Sequence, residues 1–380
     1  MNLRPPGYEP GELTELLHPA AMRARYPAAT PMANPGSRAR AAGRAASIRL
    51  YAHASPRRPR KARHVRLNLA TRVVGGALKR LPKTSIAKMS LDDIKARRRQ
   101  GIPRNAVTLA VTGRPAAGVE SADRVLATDA GYLPVRTYRP TGHRGPLPVV
   151  IHFHGGGWVL GDLDSADWLC SHVSDGVEAL VVSVDYCLAP EHPFPGAVDE
   201  CLAATRWVGH RADELGGDPD RIAVMGDSAG GNLAAVVAQL RRSQGPALRH
   251  QVLIYPSTDA TLSSPSIARN ADALLLTRDD IVAFLGHYLG DADPTDPRIS
   301  PLHADDHTGL PPALIQTAEH DPLLDDGRRY AEVLRDAGVP VRYTQYLGVP
   351  HGYVNAPGIV RSTAGQALAE IVQELRHHLT

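Results

Sequence analysis

The chain has 380 residues, enough for one large α/β domain or two ordinary ones, each with a full core. Its 43% apolar residues are typical of a globular protein, and no apolar run approaches the roughly 20 residues of a membrane span. Three cysteines without C-x-x-C spacing (Cys170, Cys187, Cys201) argue against a disulfide framework and a cysteine zinc site. The first residues lack a basic start followed by an apolar core, so a cytoplasmic location is expected. The net charge of +4 hides an asymmetry: residues 1–90 carry 18 Lys and Arg against three acids, or +15, and the remainder carries −11.

Residues 1–64 are rich in Pro, Ala and Arg, as in Pro5-Pro6-Gly7 and Ser55-Pro-Arg-Arg-Pro-Arg-Lys61, and hold no helical or strand period. They are read as a basic, disordered extension. No aromatics interleave the charges, so a solvated tail is favoured and no nucleic acid is expected as partner. From 67 to 81 a weak helical stripe (Val74, Leu78, Leu81) stops at Pro82. Ser90-Leu-Asp-Asp93 then has the form of a capping box opening a short helix through Arg99. Residues 65–104 are accordingly expected to form a small helical cap, and 105–380 the main domain.

In that main domain, residues 124–128 and 133–138 flank the turn signal Asp129-Ala-Gly131 and predict a hairpin. Buried apolar runs come next at 148–153, 180–184, 222–225, 252–255 and 313–317, and a further strand at 341–346. Helical patterns separate them, including Leu233, Val236, Val237, Leu240 and Tyr330, Val333, Leu334, Ala337 at i, i+3, i+4, i+7. Leu368, Ile371, Val372 and Leu375 mark the last helix. Apolar strands alternating with amphipathic helices predict an α/β fold: a mostly parallel central sheet flanked by helices, with its site at the carboxyl ends of the strands.

Four features fall at such ends. Gly226-x-Ser228-x-Gly230 joins a strand directly to a helix, where glycines relieve crowding and a serine hydroxyl stands exposed beside unpaired N–H groups. His154-Gly-Gly-Gly-Trp158 comes directly after the first buried strand and suits a backbone oxyanion loop. His154 is read as pinning that loop and His152 as packing. Asp321 lies just past one late strand and His351 just past the next, giving the order Ser228, Asp321, His351. Asp325 and Asp326 compete for the acid role but are expected to cap the helix that starts there. His320 is expected at the surface.

These motifs, with Asp185-Tyr-Cys-Leu-Ala-Pro-Glu-His-Pro-Phe-Pro195, Gly226-Asp-Ser-Ala-Gly-Gly-Asn232, His320-Asp-Pro-Leu323 and His351-Gly-Tyr353, resemble the hormone-sensitive-lipase-like (family IV) carboxylesterases of the α/β-hydrolase fold. The resemblance covers about residues 85–380. It implies Ser228 as nucleophile, His351 as base and Asp321 as the acid orienting it, with backbone N–H groups of Gly156, Gly157 and Ala229 as the oxyanion hole. It also implies a helical cap ahead of the core. Near the substrate it places Leu274, Leu275, Leu276 and the segments Tyr288-Leu-Gly and Ser300-Pro-Leu302, and Trp158 stands directly after the oxyanion loop. Cys187 departs from the arginine usual in the family's motif, and the basic extension has no counterpart there.

The expected activity is hydrolysis of short- to medium-chain acyl esters, with a small-molecule ester as partner and no cofactor or metal. Amide or N-acetyl hydrolysis on the same site is the nearest alternative. A non-catalytic small-molecule receptor is disfavoured because Ser228, Asp321 and His351 are all present. The oligomeric state stays open, with a homodimer among the assemblies considered.

Overall fold

Eight strands form one sheet in the computed structural model, which describes residues 67, 71–72, 85–103, 105–244 and 247–380. The extension at 1–64 and most of the expected 67–81 helix lie outside the described residues. The strands are β1 Val119–Thr128, β2 Gly131–Pro140, β3 Leu147–Phe153, β4 Leu180–Val184, β5 Gly217–Asp227, β6 Leu248–Ile254, β7 Ala313–His320 and β8 Val341–Pro350. Their order across the sheet is β1-β2-β4-β3-β5-β6-β7-β8. The β1–β2 hairpin and the β2–β4 pair are antiparallel, and every pairing from β4 through β8 is parallel. All eight expected strands are present.

Parallel strands must be covered on both faces, and the alternation of side chains divides the core accordingly. On β3, Val149, Ile151 and Phe153 enter one apolar cluster while Val150 enters the other. Complete burial of such side chains contributes roughly 1.5–3 kcal/mol each. The described helices are α1 Leu91–Gln100, α2 Ala106–Thr112, α3 Asp167–Val177, α4 Gly196–Arg211, α5 Ala229–Arg241, α6 Pro265–Arg269, α7 Arg278–Tyr288, α8 Leu324–Asp336 and α9 Arg361–Leu379. Helices α4, α5 and α8 supply the first cluster, and α3 and α9 the second. The last helix buries Ala364, Ala367, Ile371 and Leu375, one stripe at helical spacing.

The capping box at Ser90 forms as expected: Asp93 N–H donates to Ser90 Oγ at 3.2 Å, and Ser90 N–H donates to Asp93 Oδ2 at 3.1 Å. It starts α1, whose Ile94 is the buried residue and whose Arg97, Arg98 and Arg99 fill the last turn. No helix among the described residues is long and apolar enough to cross a membrane.

Candidate active site

The turn from β5 into α5 passes through Ser228 at φ 57°, ψ −118°. A non-glycine residue there carries strain on the order of 1–3 kcal/mol, tolerated only where surroundings fix it. They do: Ser228 N–H donates to the Ile254 carbonyl at 2.9 Å, and Asn232 N–H to the Ser228 carbonyl at 3.0 Å. The flanking glycines are demanded by contact. A Cβ on Gly226 would lie 2.2 Å from the Gly230 carbonyl oxygen, and one on Gly230 would lie 1.9 Å from that of Phe153.

Asp321 and His351 arrive from the two neighbouring strand ends. Between Ala318 and His320 the β7–β8 register shifts, so extra residues of β8 bulge out around Gly348 at φ +67°. Glu319 Oε2 holds this bulge by accepting from Gly348 N–H at 2.8 Å. A bulge redirects the next side chains along its strand, and here the chain turns His351 inward. His351 Nε2 stands 2.9 Å from Ser228 Oγ, and its Nδ1 stands 2.7 Å from Asp321 Oδ2. Asp321 is fully buried, and its other oxygen accepts from Leu323 N–H at 2.8 Å. Asn270 Nδ2 donates to the Asp321 carbonyl at 2.8 Å, fastening this loop to α6. Tyr255 packs its ring 4.5 Å from the His351 ring.

The glycine loop after β3 is held by a residue that sequence reasoning left without a role. Asp227, buried between Met225–Gly226 and Ser228, accepts from Gly155 N–H at 2.9 Å and from Asn355 Nδ2 at 3.0 Å. Burial raises its pKa above the ordinary aspartate value, against the opposing hydrogen bond from Asn355. Position inside the Gly226–Gly230 motif was its one available signal. Gly156 at φ +123° and Gly157 at φ +62° shape the loop, and the Phe284 ring packs where a Gly157 Cβ would go. The N–H groups of Gly156, Gly157 and Ala229 meet no protein acceptor among the described residues. His154 stacks on Tyr186 at 4.3 Å with Nδ1 2.8 Å from the Gly155 carbonyl, and the Tyr186 hydroxyl donates to the His154 carbonyl at 2.6 Å. His154 therefore pins the loop, as expected. His152 is fully buried beside Ser183, and burial pushes its pKa down to about 3, so its ring stays neutral.

Several expected neighbours fall elsewhere. Asp325 and Asp326 lie in the first turn of α8 but do not cap it: the N-cap is Leu323, with no side-chain cap. Asp325 pairs with Arg269 and Arg328, and Asp326 accepts the N–H groups of Thr258 and Asp259 at 3.0 and 3.1 Å. His320 ends β7 half-buried rather than at the open surface. Trp158, itself at φ 59°, turns away from the loop and stacks on Tyr288 at 4.4 Å inside the core. Leu276, Tyr288, Ser300 and Leu302 are likewise buried outside the cavity wall. Cys187 is buried; its N–H donates to Glu200 Oε2 at 2.6 Å, and Gly196 packs against its sulfur.

A cavity of about 540 Å³ opens beside His351 and Gly156. Leu160, Leu274, Leu275 and Ile359 make its wall apolar, and Ile102 and Val111 close it from the amino-terminal side. Arg98 of α1 joins that side to the glycine loop. Its guanidinium donates to the Val159 carbonyl at 2.7 Å and to the Ala189 carbonyl, and pairs with Glu191 at 2.6 Å.

Residues 150–355 match the family described as the alpha/beta hydrolase fold, and the chain belongs to that family, in its hormone-sensitive-lipase-like branch. Carboxylesterase NlhH of Mycobacterium tuberculosis is 52% identical over 252 residues, covering 64% of this chain and 79% of that protein. An ethyl acetate hydrolase of Pseudomonas putida is 40% identical over 68% of this chain and 82% of its own length. Among solved structures, the hyperthermophilic esterase of Pyrobaculum calidifontis superposes with a TM-score of 0.75 at 36% identity, over 82% of this chain and 99% of that one.

Proposed function

We propose that the chain is a serine carboxylesterase that hydrolyses short- to medium-chain esters presented as single molecules. Ester hydrolysis as the class of reaction is supported by the relatives named above. The catalytic assignment rests on one observation, the unbroken row Ser228 Oγ, His351 Nε2, His351 Nδ1 and Asp321 Oδ2 at 2.9 and 2.7 Å.

In this reading His351 Nε2 takes the hydroxyl proton as Ser228 Oγ bonds to the ester carbonyl carbon. Asp321 keeps the Nδ1 proton in place and offsets the charge on the imidazolium. The carbonyl oxygen becomes an oxyanion facing the N–H groups of Gly156, Gly157 and Ala229, each worth roughly 3 kcal/mol in such holes. The imidazolium then protonates the departing alcohol oxygen and the carbon–oxygen bond breaks, leaving an acyl-Ser228. Water, deprotonated by His351, attacks the acyl carbon and releases the acid. Residues 65–104 act as the cap and 105–380 as the catalytic domain, with Ile102 closing the cavity.

The apolar cavity sets the size limit. Each methylene that enters it contributes up to ~0.8 kcal/mol, and chains longer than the cavity meet overpacking. The test is kcat/KM across esters from acetyl to palmitoyl, monomeric and emulsified, beside Ser228→Ala. A maximum at short or medium chains, abolished by the substitution, is expected. A maximum at palmitoyl, or strong activation at an oil–water interface, sinks the size limit.

A further inference from the structure

His250 lies on β6 near its amino-terminal end, the end of the sheet opposite Ser228, and is fully buried. Neither of its ring nitrogens has a hydrogen-bond partner among the described residues. Among the described residues it is the one histidine with both nitrogens so placed. A buried imidazole carries one N–H and one lone pair, and leaving both unmatched is costly, so such a group calls for an occupant.

The two side chains facing it are metal ligands by type. Glu374 and His378 stand four residues apart on α9, so both project from one face of that helix toward β6. Ligand atoms of His250, Glu374 and His378 all lie within 4.8 Å of one another. Arg342 takes Glu374 Oε1 at 2.9 Å, and Oε2 faces His378 Nε2 at 3.9 Å. Glu374 and His378 are half-buried, which gives an ion a way in from solvent.

We propose that His250, Glu374 and His378 form a binding site for a divalent transition-metal ion of the zinc class, pinning the carboxyl-terminal helix to the sheet. Two imidazoles and one carboxylate are a donor set that zinc takes, with a fourth position left for water. At Zn–N distances of about 2.0–2.1 Å the donor atoms must close to roughly 3.4 Å of each other, so the Glu374–His378 pair at 3.9 Å comes nearer by roughly 0.5 Å and no pair by more than about 1.4 Å. The His250 and His378 rings lie stacked at 4.3 Å and 13°, so His378, the more exposed of the two, must turn its nitrogen edge toward the ion. The expectation of no metal came from the triad chemistry, which needs none, and cysteine spacing spoke only against a cysteine zinc site. His250 lies more than 120 residues from Glu374 and His378, a separation that spacing does not register.

The test uses the full chain, stripped with a chelator and titrated with Zn²⁺ or Co²⁺ alone. Competition against a chromophoric chelator should give one ion per chain with Kd below about 1 µM, and at a hundredfold excess over Kd the Tm should rise by about 5 °C. Glu374→Gln and His378→Gln, both at half-buried positions that tolerate an amide, should each weaken uptake at least about tenfold. Uptake weaker than about 100 µM overturns the site. So does tight uptake that survives both substitutions together, because the ion would then sit elsewhere.

Discussion

Asp227→Asn alters the residue that fastens the glycine loop to the turn at Ser228 while keeping its shape. Its Oδ1 counterpart can still accept from Gly155 N–H, but Oδ2 becomes an NH₂ group facing Asn355 Nδ2, now 3.0 Å away with donor against donor. The Tyr255 hydroxyl, at 3.4 Å, can rotate to accept and relieve only one side. A buried donor left unmatched costs about 1–3 kcal/mol. If half of that appears as displacement of the loop in the transition state, kcat/KM falls roughly two- to twelvefold, since each 1.36 kcal/mol is a decade. The assay is hydrolysis of a short chromogenic ester alongside urea denaturation. Adding Asn355→Asp restores one donor and one acceptor, and the pair should recover at least about 1 kcal/mol relative to additivity. Unchanged activity and stability in Asp227→Asn, or no recovery in the double variant, would refute this role for the carboxylate.

Two further outcomes are expected. Burial pushes the Asp326 carboxyl up to about 7 from 3.8, so the folded chain keeps a proton that the unfolded chain releases. Its contribution is therefore full below about pH 4 and declines as pH rises to about 7, at up to ~1.4 kcal/mol per unit. Between pH 5 and 8, Asp326→Asn should gain a few kcal/mol relative to wild type in chemical denaturation, and a constant difference would show that Asp326 does not titrate there. Arg98→Lys keeps the charge but cannot reach Val159, Ala189 and Glu191 together. A loss of about tenfold in kcat/KM for a short ester is expected, and wild-type kinetics would show that α1 does not position the glycine loop.

The sheet was legible because burial on both faces forces apolar runs at every strand, and runs such as 148–153 and 180–184 have no polar period to confuse them. The strand-end placement of Ser228, Asp321 and His351 came from the same runs. Sequence could not reveal direction. Trp158 stands next to the glycine loop in sequence, yet its φ of 59° turns the ring down onto Tyr288, 130 residues later, and the expected pocket wall becomes core. Asp326 has the position of a helix-capping acid, but its acceptors serve Thr258 and Asp259 N–H, 68 and 67 residues away. Asp227 was hidden for the same reason: its partners Gly155 and Asn355 come from two other loops. Pairings across the fold leave no local period.

Ser228 is proposed as the nucleophile, activated by His351. An activated alkyl phosphonate ester reports this directly, because it bonds to the attacking oxygen and leaves a stable adduct. Mass spectrometry should find one adduct per chain, on Ser228, with simultaneous loss of ester hydrolysis. Ser228→Ala should take no label, and His351→Ala should label slower by several decades. An adduct on another residue, or hydrolysis that persists in Ser228→Ala, would exclude Ser228 as the nucleophile.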